Sequence, residues 1–147
     1  MPATTHTFAK LYTMYEALVH IGQSPTTIAY AVAKNIKTIQ RIIDENSDLS
    51  RKFIESLFDG GVKYKVVNQN AERLRTWSEG DELAKGETVV YDFDEHQTTA
   101  VNEYHRTVNE AEHTIDLHTI PAAKVEDLNL PANALVPLIG TIIIEAD

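Results

Sequence analysis

Four residues in the first third of the chain, Tyr30, Lys34, Lys37 and Arg41, recur at spacings of four, three and four. At about 100° per residue they fall on one narrow helical face. A tyrosine followed by three cations can stack on a base and grip phosphates, the chemistry of a nucleotide or other small anionic ligand. The same face can equally contact the acidic half of a neighbouring subunit, or form the polar back of an amphipathic helix. Lys63, Lys65, Arg73 and Arg75 extend the patch if they fold nearby. A second group runs from Asp92 to His118. Asp92, Asp94, Glu95 and His96 cluster, His105, Asn109 and Glu112 follow at i, i+4 and i+7, and His113 and His118 lie close behind. Imidazoles and carboxylates so spaced can hold a divalent ion, with His96, His105 and His113 as the candidate ligands of a metal-dependent enzyme. A solvated helix face accounts for the same residues, so neither metal nor cofactor is expected. Trp77 stands in a polar, glycine-flanked segment, as a partner-binding anchor or as part of a small cluster with Leu74 and Leu83.

No P-loop, Gly-x-Gly-x-x-Gly, His-Glu-x-x-His or Gly-x-Ser-x-Gly pattern occurs, so the chain reads as a binding protein rather than an enzyme. The absence of cysteine removes disulfides, thiolate metal sites and a cysteine nucleophile. Net charge is −9 and unevenly spread. Residues 1–75 carry ten Lys and Arg against seven Asp and Glu, whereas residues 76–147 carry three against fifteen. Opposed halves suit mutual neutralisation, within the chain or across a homo-oligomer. The overall sign argues against nonspecific DNA binding, which depends on neutralising phosphates. The start of the chain carries neither a basic nor an apolar leader, so export by a signal peptide is not expected. No apolar run approaches the roughly 20 residues that a membrane span needs.

The elements that must position these residues follow from periodicity. Phe8, Leu11, Tyr15, Leu18 and Val19 predict an amphipathic helix over about 5–21, ended by Gly22. Ser24 and Pro25 then read as N-cap and first helical position of a second helix, antiparallel to the first. Its stripe of Ile28, Val32, Ile36, Ile39, Ile43, Phe53, Ile54 and Leu57 runs to Phe58, with Asn46, Ser47 and Ser50 as the place for a break. So long a helix outreaches its partner, which favours an oligomer. Residues 62–67 alternate like a strand, 68–87 read as a protruding loop or hairpin, and 88–91 as its returning strand. Asp94 and Gln97 form a capping box opening a third helix to about His113. Strands are expected over 115–120 and 141–144, with short helical turns at 125–128 and after Pro131. The fold class is mainly α within α+β, with a helical hairpin, a long second helix, a third helix and a small sheet. It is expected as a single domain of 1–60, 61–92 and 93–147.

The run from Ser24 to Ile39, the segment Ile115-Asp116-Leu117 and the closing pattern from Leu135 to Ile142 together resemble small bacteriophage and prophage proteins of unknown function. The resemblance covers most of the chain and transfers no catalytic residue. It implies a virion accessory component or an inhibitor of a host factor, located in the host cytoplasm or the virion. The partners so implied are a second copy and a host or virion protein.

Overall fold

Residues 3–22, 28–126 and 128–145 are described by the computed structural model. In chain order the elements are β1 (Thr4–Thr7), α1 (Phe8–Ile21), α2 (Ala29–Ser56), β2 (Tyr64–Val67), β3 (Arg73–Trp77), β4 (Thr88–Tyr91) and α3 (Glu95–Glu110). They continue with β5 (Glu112–Ile115), β6 (Ile120–Pro121), α4 (Ala122–Glu126), α5 (Ala132–Leu135), a 3-10 turn (Val136–Leu138) and β7 (Ile143–Ile144). This is a mainly helical α+β fold with a long second helix. The chain divides into two compact units, residues 1–47 with 106–147, and residues 48–105. Both α2 and α3 contribute to each.

In the first unit, Leu11, Met14, Leu18 and Ile21 of α1 share one core with Val32, Ile39 and Ile42 of α2. Gly22 lies against Ile36, and the Tyr15 hydroxyl hydrogen-bonds Gln40, so the two helices run in opposite directions. Gly22 keeps a right-handed conformation, and its amide donates to the Leu18 carbonyl at 2.8 Å. A side chain there would sit 3.3 Å from that carbonyl and 3.6 Å from Ile36. The Ile36 contact is of ordinary van der Waals length and the tighter one is to a carbonyl of α1 itself, so neither a left-handed turn nor the approach of α2 demands glycine here. The Ser24–Pro25 cap lies outside the described residues. From Ala29, α2 runs 28 residues without a break, about 42 Å. The expected weak point stays helical, with Asn46 donating its side-chain amide to the Ile42 carbonyl at 2.9 Å.

The first helix begins at Phe8, not Thr5. Thr4–Thr7 form a strand paired antiparallel with β5, Thr4 opposite Ile115 and Thr7 opposite Glu112. Threonines are stiff at χ1 and suit an extended chain. Thr5 and Thr114 hydroxyls bond across the pair at 2.8 Å, while the Thr7 hydroxyl caps α1 by accepting the Lys10 amide at 3.2 Å. Strand formation at 112–115 in turn ends α3 at Glu110 rather than near His113. The expected strand over 115–120 is interrupted. Fully buried Asn35 donates to the His118 carbonyl at 2.8 Å and accepts the His118 amide at 2.8 Å, taking the bonds a neighbouring strand would supply. The chain resumes as β6, parallel to β7. Ile142 therefore precedes the last strand, buried beside Leu138 and Ile120.

The second unit holds a three-stranded antiparallel sheet in the order β3-β2-β4. β3 occupies part of the stretch read as a protruding loop or hairpin, and forms a hairpin with β2. Its side chains alternate poorly; Arg73 and Arg75 reach across β2 to ion-pair with Asp92 and Glu87 at the two ends of β4. The turn into it is built by Asn68, whose side-chain oxygen accepts the amides of Asn70 and Glu72 at 2.9 and 3.0 Å. Asp94 and Gln97 make the expected reciprocal box, at 2.7 and 2.9 Å. Gln97 also donates to the Leu57 carbonyl at 2.9 Å, and Phe53 stacks on Tyr104 with ring centres 4.3 Å apart.

Candidate functional site

The exposed face of α2 carries Tyr30, Lys34, Lys37 and Arg41 in line, because Val32, Asn35, Ile39 and Ile42 occupy the opposite, buried face. A shallow groove of about 650 Å³ runs along it, floored by Ala33, Ile36 and Gln40. Lys34, Lys37 and Arg41 border its first part, Asp44 and Glu45 its second. None of these five makes an ion pair with another described residue. Tyr30 is 68% exposed, yet its ring is engaged. The Lys34 ammonium stands 5.6 Å from its centre, and the His118 ring meets it edge-on at 6.0 Å. A cation over one face and an imidazole at the side leave less of the ring for stacking a base than the sequence alone suggests. Two carboxylates in the same groove also oppose a multiply charged phosphate.

The three histidines considered as candidate metal ligands lie on different elements or turns. His96 lies in the first turn of α3, His105 later on the same helix, and His113 on β5. Because α3 stops at Glu110, Glu112 leaves the helical face of His105 and Asn109. Asp92 is held by two bonds from one Arg73 nitrogen, at 2.9 and 3.0 Å, and Asp94 by its cap. Among the described residues no three His, Asp or Glu side chains converge to hold a metal. His113 stands directly across the strand pair from His6, with its Nε2 buried. Burial, and then the nearby Lys10 charge, lower the His6 pKa below the usual histidine value.

Trp77 lies on a strand rather than in a loop, and Leu74 and Leu83 are 46% and 44% exposed. It closes β3 directly opposite Tyr64, which in turn pairs with Tyr91 on β4. The Trp77 and Tyr64 rings meet at right angles, 86°, with centres 5.7 Å apart. Behind Tyr64, Tyr91 stacks at 5.5 Å, then Phe93 on Tyr91 at 5.5 Å, then Phe58 on Phe93 at 5.6 Å. The indole N–H donates to the Asp81 carbonyl at 3.2 Å across a turn closed by Ser78 and Asp81. Val62, Tyr64, Trp77, Ser78, Glu79 and Val89 line an open cavity of about 700 Å³. Tyr64, between Lys63 and Lys65 in the extended cationic patch, is not expected from the sequence as the partner of Trp77. Its signal is the β alternation of Tyr64 and Val66, which aims Tyr64 at the face bearing Trp77.

A third hollow, about 330 Å³, lies between α4 and the C-terminal segment and is lined mainly by Val125, Leu130, Leu135, Ile139 and Ile143. Beside it Val136 and Ile139 are 65% and 62% exposed. No helix among the described residues is long and apolar enough to cross a membrane. No protein-family model, no curated protein and no solved structure matches the chain.

Proposed function

We propose that this chain is a non-enzymatic binding protein that works as a homo-oligomer, joined through the outer face of α2. One observation carries the reading, the order of charge along that face. Lys34, Lys37 and Arg41 come first and Asp44 and Glu45 follow, all without ion pairs to described residues, around an apolar floor of Ala33 and Ile36. A two-fold axis brings the same patch of two copies together in reverse order. Cations of one copy then meet carboxylates of the other, and the two floors close over each other. Exposed Val136 and Ile139, beside the C-terminal hollow, supply a separate apolar surface for a macromolecular partner. The resemblance over 24–39, 115–117 and 135–142 makes a bacteriophage origin the reading we adopt for that partner, a host or virion protein.

The test is a charge swap read by light scattering on a sizing column. Wild type is expected to run as a dimer at about 50 µM, weakening as salt screens the pairs. Lys34→Glu with Lys37→Glu places carboxylates against carboxylates and lowers the dimer affinity by about tenfold or more. Adding Asp44→Lys and Glu45→Lys merely inverts the order and restores the dimer. A monomeric wild type, or a swap without effect, overturns the proposal. All four side chains are exposed, so loss of folding does not confound the result.

A further inference from the structure

We propose that the right-angled corner of Tyr64 and Trp77 is a binding site for an alkylated ammonium group. The two rings meet edge to face at 86° and both line the cavity, so ring surface left beside the contact offers negative π density to a compact organic cation. Glu79 lines the same cavity, and its carboxylate makes no ion pair with a described residue. Val62 and Val89 supply apolar walls for methyl groups. Methylation makes an ammonium less costly to strip of water, so it suits a hollow with one carboxylate and four apolar or aromatic walls.

The walls are set before any ligand arrives. Trp77 is anchored by its N–H to the Asp81 carbonyl, and Tyr64 is backed by the stacked rings of Tyr91, Phe93 and Phe58. Fixed walls reduce the ordering cost of binding. No described lysine or arginine lies over either ring, the one cation–ring contact being that of Lys34 with Tyr30. No described lysine or arginine thus occupies the cation position of the corner.

Charge excludes the alternative suggested by aromatics on a small sheet, a strand of nucleic acid. Arg73 and Arg75, the cations on β3, are each committed to a carboxylate, Asp92 and Glu87. Residues 48–105 hold seven Lys and Arg against twelve Asp and Glu. Such a field repels phosphates and draws cations.

Trp77 is the only tryptophan in the chain, so its fluorescence reports this corner directly. The full chain is titrated with choline, with a tripeptide carrying trimethyl-lysine, and with 3,3-dimethylbutanol, which matches choline's head in shape without its charge. A saturable change is expected with the cations, and binding of the neutral analogue about fivefold weaker or worse. Glu79→Gln, an exposed substitution, is expected to weaken choline by about threefold and leave the melting temperature in place. Tighter binding of the tripeptide assigns the cation to a protein side chain; tighter binding of choline assigns it to a small molecule. A response that stays linear to 100 mM, an equally tight neutral analogue, or indifference to Glu79→Gln overturns the site.

Discussion

Replacing Asn35 by alanine is the sharpest probe of how the first unit closes. Asn35 is the buried polar side chain among the described residues, fully enclosed on α2, and both its amide groups are used on the backbone of His118, 83 residues away. Each bond contributes about 1 kcal/mol net. Truncation also leaves an amide and a carbonyl without their partner, at a cost of about 1–3 kcal/mol for a group fully shut from water. His118 itself is exposed, so water reaches its backbone and the lower part of that range applies. The expected loss for Asn35→Ala is therefore about 2–4 kcal/mol. Urea unfolding followed by far-ultraviolet circular dichroism measures it, with a lower midpoint and an unchanged slope. Asn35→Asp should cost more at neutral pH, because a carboxylate then faces the His118 carbonyl where an N–H had donated. A loss under 1 kcal/mol for Asn35→Ala, or an aspartate variant as stable as wild type, would falsify the reasoning.

Two further outcomes follow from local geometry. Asp94→Ala should cost about 1 kcal/mol, the usual worth of a helix cap, and Gln97→Ala more, because Gln97 also donates to the Leu57 carbonyl; thermal melts of the two variants rank them, and equal costs would count against the second bond. Glu87 has its pKa lowered to about 2 by hydrogen bonds from Arg75 and then from the Ala84 amide. Its ionised form is favoured in the folded state, so its contribution is present above the usual carboxylate pKa and lost as pH falls from there towards 2. Carbon-13 NMR titration of the side chain should give that low midpoint, and Arg75→Gln should return it towards the ordinary value.

The sequence was most legible where the signal is local. The Asp94–Gln97 box is one turn long, and both its bonds form as the residue types require. The isoleucine stripe of α2 also reads directly, since burial on one face needs only the helical period. β1 was unreadable because its partner lies more than a hundred residues later, and nothing within Thr4–Thr7 distinguishes a strand from a helix start except β-branching. β3 escaped because its side chains are mostly exposed and do not alternate; what ties it in place, the ladder to β2 and the pairs Arg73–Asp92 and Arg75–Glu87, reaches outside the strand. Asn35 had a signal that went unused. It sits within the spacing of Ile28, Val32, Ile39 and Ile42, where a polar side chain on the buried face must find a buried partner. Of the candidate surfaces, the cations of α2 were legible from spacing, but the carboxylates that follow them acquire meaning only with the groove. The corner at Trp77 depends on strand register, which no single segment encodes.

The stacked pair of Phe53 and Tyr104 bears on the order in which the chain folds. Their rings, 4.3 Å apart, bring together two points separated by 51 residues, at the two ends of the second unit. Pairing β1 with β5 closes a loop from Thr4 to Ile115, a long-range contact that is entropically slow to make from an open chain. Once the second unit is formed, the effective loop is roughly halved, which removes about 0.5 kcal/mol of closure entropy. The middle of the chain thus acts as a clasp that, once shut, shortens the search of the two ends for each other by about twofold.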